Sequence, residues 1–81
     1  MIELEISHQI ERCYKACERL HKEKLESQLQ GWSNLIFNLA EGKKISILDS
    51  AIEIIQEVKK EEDNAYSVMH ILASAYALIK K

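Results

Sequence analysis

Apolar residues recur along this chain at intervals of 4, 3, 4, 3, and the one place where that rhythm slips does most to constrain the fold. Ile6, Ile10, Cys13, Cys17 and Leu20 form the first stripe, and Leu25, Leu29, Trp32, Ile36 and Leu39 form the second. Such spacing puts each set on one face of an α-helix. Between Leu20 and Leu25 the interval is five, filled by His21, Lys22, Glu23 and Lys24. A step of five turns the stripe by more than a third of a turn, so a single straight helix would aim its two halves at different neighbours. The spacing favours two helices over this stretch, with one bent helix as the alternative. No glycine or proline stands there to mark a turn.

The remaining boundaries carry local signals. Gly42 stands where a helix commonly ends on a left-handed glycine. Ser46 and Asp49 have the spacing of a capping box opening a third helix, whose stripe is Leu48, Ala51, Ile52, Ile55 and Val58. The polar run from Lys59 to Asn64 reads as a turn, with Glu62 or Asp63 favouring the next N-terminus through the helix dipole. A fourth helix carries Ala65, Met69, Leu72, Tyr76 and Ile79, and also Tyr66, Val68, Ile71, Ala73, Ala75 and Leu78. Its apolar surface is far wider than one stripe, so it either sits centrally or is partly covered by another chain. The expected fold is all-α: an antiparallel four-helix bundle, or a repeat-like pair of helical hairpins, with helices over about residues 3–21, 25–41, 46–59 and 62–80. One domain spans residues 1–81.

Composition narrows the function classes. At 81 residues the chain buries only roughly 60–65% of its unfolded surface, so a supplement to the core is expected. Two cysteines one helical turn apart make a poor disulfide, which leaves a partner chain as the expected supplement. The start, MIELEIS, lacks the basic region and long apolar run of a signal peptide, and no stretch approaches a membrane span. A cytoplasmic protein with free thiols is the expectation. The formal charge is −2 with lysines interleaved among glutamates, which argues against nucleic-acid binding; only Lys43–Lys44 and Lys80–Lys81 are locally basic. The acidic and basic run near Glu57 to Asn64 has the pattern of a solvated junction, not of a calcium loop.

The chain also overlaps itself when displaced by 37 positions: Leu29–Lys44 falls over Tyr66–Lys81, with Trp32 on Met69, Leu35 on Leu72, Leu39 on Tyr76 and the Lys-Lys pairs coincident. A period in the thirties is the mark of helical-hairpin repeats. Over residues 29–81 the chain resembles the tetratricopeptide family: Trp32, Leu35 and Leu39 keep that family's spacing, Ala51–Ile55 looks like the opening of its second helix, and Ala73 and Tyr76 stand at its small and aromatic positions. Ile36 stands where the family carries a small residue, and no proline ends either unit. The resemblance implies a module that binds other proteins.

Candidate functional residues follow from these readings. The expected function is non-enzymatic protein–protein interaction, as a homodimer or an accessory and regulatory subunit, with Trp32, Tyr66, Met69, His70 and Tyr76 as partner-binding residues. Tryptophan and tyrosine are enriched at interface hot spots. His70, amid Val68, Met69, Ile71 and Leu72, reads first as a satisfied buried or boundary histidine, with a pH-sensing role at an interface as the sharper reading. Gly31 beside Trp32 suggests close backbone packing against that helix. The alternative function is a metal- or thiol-active bundle: Cys13, Cys17 and His21 share a helix face and offer soft ligands. They equally continue the apolar stripe, since a free cysteine behaves as a small hydrophobe. A Cys–His nucleophile lacks a visible orienting residue, and no cofactor or small-molecule substrate is indicated.

Overall fold

In a computed structural model of the chain, the described residues are 2–61 and 64–80, with side chains described from residue 7 onward. They form four α-helices: α1 (Ile2–His21), α2 (Leu25–Lys43), α3 (Ile47–Glu61) and α4 (Ala65–Lys80). The fold is all-α, as the periodicity predicts. Ile6 of the first stripe lies outside the described side chains, as do Glu62 and Asp63.

The interval of five is where the chain turns. α1 stops at His21, and Lys22–Lys24 form one turn of 3-10 helix before α2 begins. Lys22 holds φ 50°, a left-handed value that breaks the α-helical path without any glycine. The side chain of Ser27 donates to the Lys24 carbonyl at 3.0 Å, tying down the first turn of α2.

The end of α2 differs from expectation. Gly42 remains helical, and the left-handed residue is Lys44, at φ 55° and ψ 47°. The Ile45 N–H then reaches back to the Ala40 carbonyl at 3.0 Å, the six-to-one bond of a Schellman closure. The glycine stands two residues too early to relieve the strained position. α3 is capped as its sequence suggests, with the Asp49 N–H donating to the Ser46 hydroxyl at 3.0 Å. α4 is capped by Asn64, whose side-chain oxygen accepts from the Tyr66 N–H at 2.9 Å.

α4 is the organising element, packing against α1, α2 and α3. One of its faces joins Ile36, Ala51 and Ile54 through Ile71 and Ala75, with Trp32, Leu39, Ile47, Ile55, Val58 and Leu78 at the margin. A second face joins Cys17 and Leu29 through Ala73, with Cys13, Tyr14, Leu25 and Met69 packed around. Tyr14 lies against Tyr76 at 5.0 Å between ring centroids, while His21 meets His70. Advancing along α1 therefore means retreating along α4, so the two run antiparallel.

Small residues make these close approaches possible. Ala51, Ala73, Ala75, Ser50 and Ser74 are all fully buried. Both serines satisfy their hydroxyls on helix carbonyls: Ser50 donates to Ile36 O at 2.7 Å, and Ser74 to His70 O at 2.8 Å with Leu29 O at 3.3 Å. Among the described residues no buried side-chain nitrogen or oxygen lacks a partner. Burying a hydroxyl is tolerable on these terms and costly otherwise.

Gly31 does not serve a close approach. It is exposed on α2, and a β-carbon there would meet nothing within 4 Å. Gly31→Ala is thus expected to stabilise the protein by about 0.5–1 kcal/mol in urea unfolding, by removing backbone freedom from the unfolded chain. Lys44→Gly is expected to stabilise by a similar amount, roughly 0.5–1 kcal/mol, because relief of a left-handed β-carbon exceeds glycine's entropic cost. A loss of stability in the first variant would mean that α2 packs differently around Gly31.

Candidate functional site

The partner-binding residues named from sequence fall into different environments. Tyr66 is 53% exposed at the start of α4, and its ring lies over His70 with 4.3 Å between centroids. His70 is only 3% exposed and lies in the interior, the environment of a satisfied buried histidine. Met69 packs into the cluster with Cys17 and Leu29. Tyr76 is half-buried against Tyr14, and the Lys80 ammonium stands 5.6 Å from its ring centroid. Most of the breadth of α4's apolar surface is therefore covered within the chain.

Trp32 is different. It lies half-buried at the edge of the main core and faces an open groove between α2 and α3. The groove has a volume of about 400 Å³. Its floor and walls are Trp32, Leu35, Leu39, Ile54 and Val58, and Lys43, Glu53 and Glu57 supply its charged lining. Lys43 and Glu53 form an ion pair at 2.6 Å that bridges α2 and α3. Leu35 is 49% exposed there, and Phe37, elsewhere on α2, is 48% exposed. Helical spacing explains the groove: Trp32, Leu35 and Leu39 lie at steps of three and four, beside the inward-facing stripe of Leu29, Ile36 and Ala40. The sequence assigns Trp32 and Leu39 to the core stripe, and nothing in it marks Leu35 as an exposed wall.

The cysteines continue the packing. Cys17 is fully buried and Cys13 half-buried, both as free thiols. Burial pushes the Cys13 thiol above its ordinary range, with the Arg12 charge offsetting part of the effect. Burial raises Cys17 as well, and the neighbouring Cys13 adds to it. The nucleophilic and metal-binding form is the thiolate, which these surroundings disfavour. Among the described residues, no three His, Cys, Asp or Glu side chains gather closely enough to hold a metal ion.

His21 does find a partner, though not in the cysteines. Its Nε2 lies 2.7 Å from Nε2 of His70, 49 residues away. The Nδ1 of His70 is 2.8 Å from the Tyr66 carbonyl oxygen. Sequence reading missed this pairing, because helical periodicity reports faces within one helix and not which faces meet.

No described helix is long and apolar enough to cross a membrane. The chain matches no family model, no curated protein sequence and no solved structure.

Thiol reactivity checks the placement of the cysteines. A chromogenic disulfide reagent at neutral pH is expected to label Cys13 slowly and Cys17 only as fast as the protein opens, with both reacting at once in denaturant. Rapid native-state labelling of Cys17 would contradict its burial. Because the folded state disfavours both thiolates, stability is also expected to fall as pH rises through the thiol range.

Proposed function

We propose that this protein is a non-enzymatic helical module that binds another protein chain, with the groove between α2 and α3 as its docking surface and a second copy of itself as the first partner to test. The open groove lined by Trp32, Leu35, Leu39, Ile54 and Val58 carries this reading. An apolar centre holding a tryptophan and rimmed by charged residues is the usual build of an interface. Lys43, Glu53 and Glu57 supply both signs of charge. The small size of the chain favours association further, since burial against a second copy would supplement a thin core.

The resemblance of residues 29–81 to hairpin repeats supports the same class of function, and a cytoplasmic location agrees with the free thiols. Tyr66 and Phe37 are further exposed apolar anchors outside the groove. The thiol- or metal-active alternative has less behind it, given one buried and one half-buried thiol and no assembled ligand set among the described residues.

Sedimentation velocity over a range of micromolar concentrations tests the proposal, with Leu35→Glu as the discriminating variant. Leu35 is half-exposed, so a glutamate there leaves the core intact. The wild type is expected to self-associate, and the variant to keep its helicity while association weakens by roughly tenfold or more, the effect of charging an interface anchor. A wild type that remains strictly monomeric throughout, or a variant that associates as the wild type does, would refute this surface as the site of self-association.

A further inference from the structure

His21 closes α1, His70 lies in the first half of α4, and their Nε2 atoms approach to 2.7 Å. The ring centroids are 4.9 Å apart, close to the largest separation that such a contact allows, so the two nitrogens point head-on at one another. The planes are inclined at 59°, which leaves a hydrogen bond along the line of centres and no stacking between the rings.

The proton inventory of this contact is limited. Nδ1 of His70 faces a carbonyl oxygen, which can only accept, so Nδ1 carries a proton. With His70 neutral, its Nε2 presents a lone pair and the Nε2–H of His21 donates to it. With His70 charged, its own Nε2–H donates to a lone pair on His21. Either way one proton lies between the two nitrogens. When both rings are charged, two N–H groups face each other with no acceptor between them, and two like charges share a part-buried site.

We infer that His21 and His70 form a proton-sharing clasp that fastens the end of α1 to α4 and opens when both rings become charged. The position gives the clasp leverage. It sits where the chain leaves α1, immediately before the left-handed Lys22. One turn behind His21 lies Cys17, fully buried against Leu29 and Ala73. Releasing the end of α1 would loosen that cluster and expose Cys17.

Among the described residues no hydrogen bond or ion pair brings a carboxylate to either ring. The Tyr66 ring covers His70, and Cys17 and Ser74 are one turn away on α1 and α4 respectively. Glu18 and Arg19 of α1, Lys22, Glu23 and Lys24 of the turn, Glu26 of α2, and Glu57, Lys59, Lys60 and Glu61 of α3 are all exposed. None of the ion pairs among the described residues engages either ring. Glu62 and Asp63 lie outside the described residues.

The direction of the pH dependence follows from proton counting. An unfolded chain takes a proton on each imidazole on acidification, while the closed clasp cannot hold both. The unfolded state therefore binds more protons, and stability falls as pH falls through the range in which imidazoles charge.

His21→Gln separates the clasp from other acid effects, since glutamine can donate to Nε2 of His70 but cannot charge. Urea unfolding is measured at about pH 8 and about pH 5, the interval over which histidine charges. The wild type is expected to lose roughly two- to tenfold more of its folding constant than His21→Gln, the range set by one hydrogen bond. His8→Gln, at an exposed position on α1, should behave as the wild type does. In the wild type, nitrogen NMR should show a scalar coupling across the N–H···N bond between the two Nε2 atoms at the higher pH and none at the lower. Equal acid sensitivity of wild type and His21→Gln, or no coupling at the higher pH, overturns the inference. If the variant fails to fold, the wild-type coupling decides alone.

Discussion

Burial of α4 by the other three helices is the interaction on which this structure depends. A short chain has little apolar surface to spare, and α4 uses more than one of its faces for packing. Ile71 and Ala75 turn towards α2 and α3, while Met69 and Ala73 turn towards α1 and α2. The arrangement works because α4 is rich in small residues: alanines at 73 and 75 and a serine at 74 let neighbouring backbones come close on several sides. The cost of burying Ser74 is offset by its bonds to the carbonyls of His70 and Leu29. Ser50 does the same service between α3 and α2. Hydroxyls on helix carbonyls give this small core polar links that fix how the helices face one another.

A central α4 also determines what is left at the surface. With most of its apolar side chains packed inside the chain, apart from the exposed Tyr66 and Ile79, α4 leaves an open groove between α2 and α3, where Trp32 and Leu35 flank the core stripe. α1 depends chiefly on α4, through the tyrosine pair and the histidine contact, and only weakly on α2. α1 thus packs along one side of α4, and α2 and α3 pack against its other sides and against each other. The proton-sharing contact sits at the end of that attachment, where a change of charge can act on it.

Helix existence and the turn after His21 were legible in the sequence because both are local consequences of side-chain spacing. A stripe displaced by five residues cannot stay on one face, and the chain resolves this by placing Lys22 in a left-handed conformation. The caps at Ser46 and Asn64 are local too, although only the first is marked by its spacing. The glycines misled for a reason: Gly42 has the freedom to end α2, but the helix runs on to Lys43 and makes Lys44 take the left-handed position. The width of α4 was legible, whereas the identity of what covers it was not, since periodicity cannot say whether a face meets its own chain or another. The close contact that Gly31 suggests fails on the same incomplete ground, since nothing approaches it. The pairing of His21 with His70 and the burial of both serines arise from contacts between distant segments, which no spacing rule encodes.

Native-state hydrogen exchange tests the central position of α4 most directly. If three helices cover it, the amides from Met69 to Ala77 should exchange only through global unfolding, and should be the slowest in the protein. The amides of α1, covered mainly on one side, should exchange through smaller openings that leave the other helices intact. Amides of α4 that exchange as fast as those of α1, or faster, would contradict a core built around α4.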